Sequence, residues 1–200
     1  QNYLINDFSF KINFGDTIGI VGETGSGKST LVDLIMGLIR PSSGNIFIDG
    51  YDLYNAKDSK IHKNWLDSIA HVSQNIYLND DTIASNIAFG IPKKDINYKR
   101  LNKICNLVLL DKFIKKSQSG LETIVGERGL KLSGGQKQRI GIARALYREN
   151  KNLLVLDEAT SALDNKTEEL LIKNIYSLKT KYTLIMIAHR LSTLKNCNRI

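Results

Sequence analysis

The sequence has 200 residues, of which 42% are hydrophobic and 24% charged. This composition is typical of a globular domain and excludes a disordered chain, and the length is enough to bury a core without disulfides. The longest apolar runs, such as Leu153–Leu156, are far shorter than the roughly 20 residues of a membrane helix. The net charge of +8 fits either an anionic partner such as nucleic acid or a lysine-rich solvated surface. The scatter of the basic residues favours the second reading.

Short strands and one helix are predicted in the first part of the chain. Alternating apolar residues at Phe8–Phe14 predict a half-buried strand, and Thr17–Val21 predicts a buried one that runs into a glycine-rich loop. Helical spacing follows over Lys28–Leu38. A hairpin is predicted for Asn45–Leu53, because an Asp-Gly pair lies between its two apolar halves.

Strands and helices then alternate to the end of the chain. Strands are predicted at Ile69–Ser73, Leu153–Leu156 and Thr183–Ala188, with a helix over Lys166–Leu178 between the last two. The residues from about 82 to 148 are mostly helical and form an insertion. This order predicts an α/β fold with a mainly parallel sheet, a small antiparallel β part and an inserted helical subdomain.

A phosphate-binding loop is predicted after the second strand, where residues 22–29 match the pattern G-x-x-x-x-G-K-[ST]. Its glycines let successive N–H groups turn towards phosphate oxygens, and the next helix adds its positive N-terminal end. Lys28 would reach the β- and γ-phosphates, and Ser29 would ligate Mg²⁺. A chance glycine-rich turn is the alternative, but the strand before and the helix after favour the phosphate loop. The predicted nucleotide-binding residues are Gly22, Glu23, Thr24, Gly25, Ser26, Gly27, Lys28, Ser29 and Thr30.

Two carboxylates follow the apolar strand that begins at Leu153. In open α/β sheets, ligands bind at the carboxyl ends of the strands. Asp157 would hold Mg²⁺ there, and Glu158 would orient or deprotonate the attacking water. The alternative is an Asp-Glu pair that only begins a helix.

A second anion-binding turn is predicted before the helix near residue 140. Ser133 is a favourable N-cap residue, and the glycine pair after it leaves backbone N–H groups uncovered. An ordinary capped helix start remains the alternative. The segment consists of Leu132, Ser133, Gly134, Gly135 and Gln136.

The order of these motifs resembles that of an ABC-transporter nucleotide-binding domain, and the Leu-Ser-Gly-Gly-Gln signature is close to diagnostic of that family. The resemblance covers nearly the whole chain. It implies a P-loop NTPase fold with a RecA-like sheet, ATP hydrolysis, and ATP and Mg²⁺ as cofactors. Tyr3 lies too close to the phosphate loop to be the family's adenine-stacking aromatic residue, which we expect upstream.

The resemblance also implies roles for residues outside these motifs. Gln74 is similar to the Q-loop glutamine, which contacts Mg²⁺ together with Ser29 and Asp157. His189 is similar to the switch histidine at the γ-phosphate, so that Glu158, Gln74 and His189 form the implied catalytic set. The segment similar to the D-loop, which packs across a dimer interface, is Ser161, Ala162, Leu163 and Asp164.

Two stretches resemble exporters in particular. Asp81–Gly90 is similar to their segment after the Q-loop. The longer stretch Asn75–Gly90 resembles that of bacterial polysaccharide and lipid-linked oligosaccharide flippases. Thr123–Gly129 is similar to the X-loop, which meets the membrane domain. The implied partners are a second nucleotide-binding domain, identical or not, and a transmembrane domain on the same polypeptide, at the cytoplasmic face of a bacterial inner membrane. No nucleic-acid partner is expected.

The resemblance makes residues 1–200 one nucleotide-binding domain cut at both ends, with its helical subdomain at about 75–145. Two other classes of the superfamily fit the sequence less well. Chromosome and DNA-repair ATPases insert a long heptad coiled coil, but Leu38–Leu132 holds no sustained heptad run. Ribosome-associated proteins carry two cassettes in one chain and lack the X-loop pattern.

Overall fold

The computed structural model describes residues 4–55, 59–178, 182–188 and 190–200. The strands within them are β1 (Thr17–Ile20), β2 (Phe47–Ile48), β3 (Tyr51–Asp52), β4 (Ile69–Val72), β5 (Leu153–Asp157) and β6 (Thr183–Ile187). The helices are α1 (Lys28–Met36), α2 (Ser59–Asp67), α3 (Ile83–Ile87), α4 (Tyr98–Leu107), α5 (Asp111–Lys116), α6 (Gly134–Tyr147), α7 (Asn165–Tyr176) and α8 (Leu191–Leu194). No helix in these ranges is both long and apolar enough to cross a bilayer.

The main sheet has four parallel strands in the order β1-β6-β5-β4, and β2 pairs with β3 in a separate antiparallel ribbon. The predicted α/β fold is therefore confirmed. Ile187 lies opposite both Ile20 and Asp157, and Val72 lies opposite Leu156. The carboxyl ends of all four strands consequently lie along one edge of the sheet.

Apolar residues cover both faces of the sheet, which explains the continuous apolar runs of β5 and β6. On one face, Val155 and Ile185 pack with Val32 and Met36 of α1. On the other, Leu154 and Leu184 belong to a larger cluster that includes residues of α3, α4, α6 and α7. Helix α6 is the central element of the helical insertion, since Ile140 and Ile142 are completely buried in it.

The strand predicted at Phe8–Phe14 is wrong, because these residues have no strand conformation. Phe8, Phe10 and Phe14 are exposed; the rings of Phe8 and Phe10 stack at 5.8 Å, and the Arg199 guanidinium lies 4.0 Å from the Phe10 ring centre. An alternating pattern becomes a strand only when a neighbouring strand accepts its backbone hydrogen bonds, and none of the described strands pairs with this segment.

Two helices also differ from expectation. The first ends at Met36 instead of Leu38, because Gly37 adopts a left-handed conformation (φ 76°) and its N–H bonds back to Asp33 and Leu34. Helix α2 was not predicted at all. The four-residue spacing of the apolar residues Ile61 and Trp65 is the sequence pattern that could have indicated this helix. In the structure, the Trp65 indole Nε1 donates to the Ile35 carbonyl at 3.0 Å.

A buried carboxylate joins α7 to the segment that follows β6. Glu168 accepts hydrogen bonds from the hydroxyls of Thr160 (2.6 Å) and Thr193 (3.0 Å) and forms an ion pair with Arg190 (2.7 Å). These contacts fix the loop after β5 relative to the chain beyond β6.

We expect Glu168→Ala to lower the free energy of unfolding by about 2–4 kcal/mol, because it removes the ion-pair partner of Arg190 and leaves two hydroxyls without this acceptor. Urea unfolding checks this. The control is Glu169→Ala, since Glu169 is the exposed neighbour and surface changes usually stay within about 0.5 kcal/mol. Equal losses in the two variants would contradict a stabilising role for the Glu168 contacts.

Candidate active site

The predicted site residues follow the carboxyl ends of the parallel strands. The loop 21–27 follows β1, Gln74 lies two residues after β4, and Asp157 and Glu158 lie at the end of β5. His189, predicted after β6, lies outside the described residues. The parallel arrangement therefore brings the phosphate loop, Gln74 and both carboxylates to one edge of the sheet.

The loop before α1 has the backbone shape that a phosphate cradle needs. Gly25 and Gly27 have φ values of 82° and 92°, a left-handed region that residues with a Cβ rarely adopt. Gly27 is the N-cap of α1 and brings no side chain to the first turn. No capping side chain therefore competes for the N–H groups at this helix end, and an anion could accept from them.

Lys28 folds over this loop. Its Nζ donates to the carbonyls of Gly22 (2.9 Å) and Glu23 (2.8 Å). The ammonium group is consequently held at the open side of the loop, where it can meet phosphate oxygens. The same two bonds close the loop on itself.

The carboxyl group of Asp157 is in surroundings that favour a cation. Burial raises its pKa above the ordinary value, and the neighbouring Glu158 carboxylate raises it further, while His71 and Lys28 act in the opposite direction. A bound cation would relieve both effects. Mg²⁺ prefers such carboxylate and hydroxyl oxygens, so the chemistry of Asp157 and Ser29 fits this ion.

Gln74 and Glu158 are in direct contact. The Gln74 Nε2 donates to Glu158 Oε2 at 2.7 Å, although the residues are 84 positions apart. Glu158 has a φ of 49°, and its N–H donates to the Ile187 carbonyl at 3.0 Å. The structure thus places the glutamine that follows β4 directly on the carboxylate that follows β5.

The signature segment begins α6 with a reciprocal capping box. Ser133 Oγ accepts from the Gln136 N–H at 3.2 Å, and Gln136 Oε1 accepts from the Ser133 N–H at 2.7 Å. The capped helix start is therefore real. It does not exclude anion binding, because the Ser133 hydroxyl acts only as an acceptor in these bonds and can donate its proton outward.

The segment Ser161–Asp164 connects β5 to α7. Asp164 is the N-cap of α7 and accepts from the Thr167 N–H at 3.0 Å, which is a local structural role. Ser161 and Ala162 instead bond to the side chain of Gln138 on α6. The sequence analysis did not identify Gln138 as a site residue. A glutamine on the buried face of an apolar helix is nevertheless a detectable sign of a buried hydrogen-bond partner.

The two exporter-like stretches lie side by side. Ile83 N–H donates to the Thr123 carbonyl at 3.0 Å, and Val125 N–H donates to the Asp81 carbonyl at 3.1 Å. Ile124, between these bonded residues, is 52% exposed. The two segments are thus hydrogen-bonded neighbours.

A family model described as "ABC transporter" matches residues 5–161. The chain belongs to the ABC transporter family. The matched region is the ATP-binding, ATP-hydrolysing domain of that family, so the nucleotide predicted from the phosphate loop is ATP.

The relatives are exporters. Over its whole length the chain is 43% identical to an ATP-dependent lipid A-core flippase of Wigglesworthia glossinidia brevipalpis, covering 33% of it. It is 44% identical to the alpha-hemolysin translocation ATP-binding protein HlyB of Escherichia coli, covering 100% of this chain and 27% of that protein. A solved bacterial Atm1-family ABC exporter with ATP bound superposes with a TM-score of 0.83 at 37% identity, over 94% of this chain and 32% of that one. These findings confirm the P-loop NTPase fold and the resemblance to exporters, and the flippase resemblance is compatible with them.

The chain spans about a third of the length of the curated relatives it matches. The transported substrates are therefore properties of those full-length relatives.

Proposed function

We propose that this chain binds ATP with Mg²⁺ at the carboxyl edge of its sheet and hydrolyses it to power transport by a membrane domain. The observation that carries this proposal is the 2.7 Å bond between Gln74 and Glu158. In this proposal Gln74 contacts the nucleotide-bound Mg²⁺ and Glu158 activates the attacking water. Both lie at the sheet edge that also carries the phosphate loop.

The residues at the carboxyl edge of the sheet have different roles in this proposal. The N–H groups of residues 22–30 hold the phosphates, and Lys28 supplies the positive charge beside them. Mg²⁺, held by Ser29, Asp157 and Gln74, would neutralise charge on the phosphate oxygens. Glu158 takes the proton of the attacking water, and Gln74 orients its carboxylate. We assign His189 to the γ-phosphate on the family resemblance alone.

The second phosphate cradle supports a head-to-tail dimer. Within the described residues, the starts of α1 and α6 can each bind an anion, but only one parallel strand, β5, has two carboxylates at its end. We therefore place each ATP between the phosphate loop of one chain and residues 132–136 of a second nucleotide-binding domain, with Ser161–Asp164 packed across the interface. Identical and non-identical partners both satisfy this arrangement.

The remaining partner in the proposal is a transmembrane domain. The surface formed by Asp81–Gly90 and Thr123–Gly129 is its docking site, on the cytoplasmic face of a bacterial inner membrane. Residues 1–200 act as one nucleotide-binding domain with the helical subdomain at about 75–145. The relatives transport different cargoes, a lipid and a protein, so the membrane domain sets the substrate. A lipid-linked oligosaccharide is our candidate class.

The shared site is tested with Ser133→Arg. A long cation would fill the space between the α6 N-terminus and the nucleotide of the partner, so we expect ATP-dependent dimerisation and hydrolysis to fall at least about tenfold. Binding of ATP to the monomer should stay unchanged, since the phosphate loop is intact. Light scattering, ATPase assays and titration with a fluorescent ATP analogue measure the three quantities.

Mixing Ser133→Arg with an excess of Glu158→Gln protein gives a control. In a mixed dimer, the phosphate loop and intact Glu158 of the Ser133→Arg chain meet the intact signature of the Glu158→Gln chain, while the other site carries both defects, so ATPase activity should rise above that of either variant alone. If Ser133→Arg alone hydrolyses ATP at the wild-type rate per chain, the site is not shared and the signature is only a capped helix start.

A further inference from the structure

A buried glutamine on α6 reaches into the loop that carries the hydrolytic glutamate. Gln138 is only 6% exposed. Its Nε2 donates to Ser161 Oγ at 2.9 Å and to the Glu158 carbonyl at 3.4 Å, and its Oε1 accepts from the Ala162 N–H at 2.9 Å. One side chain thus satisfies three polar groups of the loop 158–162.

The first turn of α6 packs against the same loop. A Cβ added at Gly135 would lie 2.8 Å from Leu163 Cδ2 and 3.2 Å from the Ala162 carbonyl oxygen, and one at Gly134 would lie 3.1 Å from Ala162 Cβ. At Gly135 a side chain would force Leu163 to shift, and at Gly134 it would crowd Ala162 by a few tenths of an ångström. The signature helix and the loop are therefore in contact at two successive levels.

The loop needs such support because of its backbone shape. Glu158 has a φ of 49°, in the left-handed region that residues with a Cβ rarely adopt, and such a conformation persists only where its surroundings hold it. Within the loop, the Ser161 N–H donates to the Glu158 carbonyl at 3.2 Å. That is the carbonyl which Gln138 also approaches, so α6 contacts the backbone that carries the Glu158 carboxylate.

We propose that Gln138 is a positioning residue that couples the signature segment of a chain to the hydrolytic glutamate of the same chain. This inference rests on the proposed function, in which the α6 N-terminus contacts ATP held by the partner. ATP bound by the partner contacts α6 of this chain and stabilises its position. Through Gln138, α6 then orients Glu158 of the same chain towards the ATP that this chain binds. The two sites of the dimer are linked by this side chain.

The test places the substitution Gln138→Met in one chain of a dimer of the complete native polypeptide, purified through two different affinity tags. Methionine has a similar volume but no amide. In the first pairing, a Gln138→Met chain with an intact Glu158 is joined to a Glu158→Gln chain. In the second, a wild-type chain is joined to a chain with both substitutions. The reference pairs a wild-type chain with a Glu158→Gln chain.

Only one site can hydrolyse ATP in each pairing, which separates the two possible roles. In the first pairing the working glutamate lies in the same chain as the Gln138→Met substitution, and we expect kcat to fall on the order of 10–100-fold. The KM for ATP should stay within about twofold of the reference. In the second pairing the working glutamate has its own Gln138, and we expect the reference rate.

The second pairing is also a folding control, because the same altered α6 must there complete an active site. Gln138→Glu is a second variant: it keeps the acceptor for the Ala162 N–H and should lose less activity than Gln138→Met. Tyr147→Phe is the matched control on α6, since it removes a buried hydrogen bond to the Asn97 N–H (2.8 Å) far from the loop. It should leave kcat unchanged.

A loss in the second pairing that equals or exceeds the loss in the first would overturn the inference, because Gln138 would then act on the signature contact or on the fold of α6. Reference rates in both pairings would overturn it as well. Neither result touches the proposed function as long as the reference dimer hydrolyses ATP. A reference dimer without ATPase activity, made from an active wild-type protein, would reject the independent use of Glu158 in each site and the inference with it.

Discussion

Replacing Lys28 with alanine should abolish ATP binding and not merely slow turnover. The Nζ group is held over the phosphate loop by the Gly22 and Glu23 carbonyls, and in the proposed site it would face the β- and γ-phosphates. Hydrogen bonds between charged groups are each worth about 1.5–3 kcal/mol, so losing two predicts an affinity about 10²–10⁴-fold lower. Equilibrium titration with a fluorescent ATP analogue measures the change.

Two further variants separate charge from loop shape. Lys28→Met keeps the length of the side chain and should bind ATP as poorly as Lys28→Ala. Lys103→Ala removes an equal charge from an exposed position on α4 and should bind normally. Unchanged affinity in Lys28→Ala would mean that the loop does not hold phosphate in the way described.

Glu158→Gln should leave ATP binding intact and lower hydrolysis by roughly 10²–10⁴-fold, the usual contribution of a positioned base. The amide has the shape of the carboxylate, and its oxygen can still accept from Gln74, but it cannot take the proton of the attacking water. The variant should therefore accumulate as an ATP-bound dimer. Size-exclusion chromatography with light scattering detects that dimer, and phosphate release measures the rate.

Glu169→Gln is the matched control, since it makes the same change at an exposed glutamate of α7 and should hydrolyse ATP normally. Near-wild-type turnover in Glu158→Gln would move the role of the base to another residue, with His189 the next candidate. A low rate without a stable dimer would instead indicate that the substitution disturbs the loop 158–162.

Sequence patterns do not predict contacts between residues that are far apart in the chain. The sequence placed Gln74 at the nucleotide by resemblance, but its 2.7 Å bond to Glu158 depends on β4 and β5 being neighbours in the sheet. Gln138 was missed for the same reason. A buried polar side chain on an apolar helix signals a partner but does not say which one, because that partner is brought there only by packing.

The sequence by itself determined the glycine loop after β1, the two carboxylates at the end of β5 and the parallel sheet. Each depends on local spacing, because a glycine pattern shapes one loop and parallel strands must end at a common edge. Only the tertiary structure decided that Phe8–Phe14 is not a strand, that Asp81–Gly90 lies against Thr123–Gly129, and that α6 holds the loop of Glu158. Periodicity describes which face of a segment is apolar. The partner of that face, and the hydrogen bonds it completes, are set by residues elsewhere in the chain.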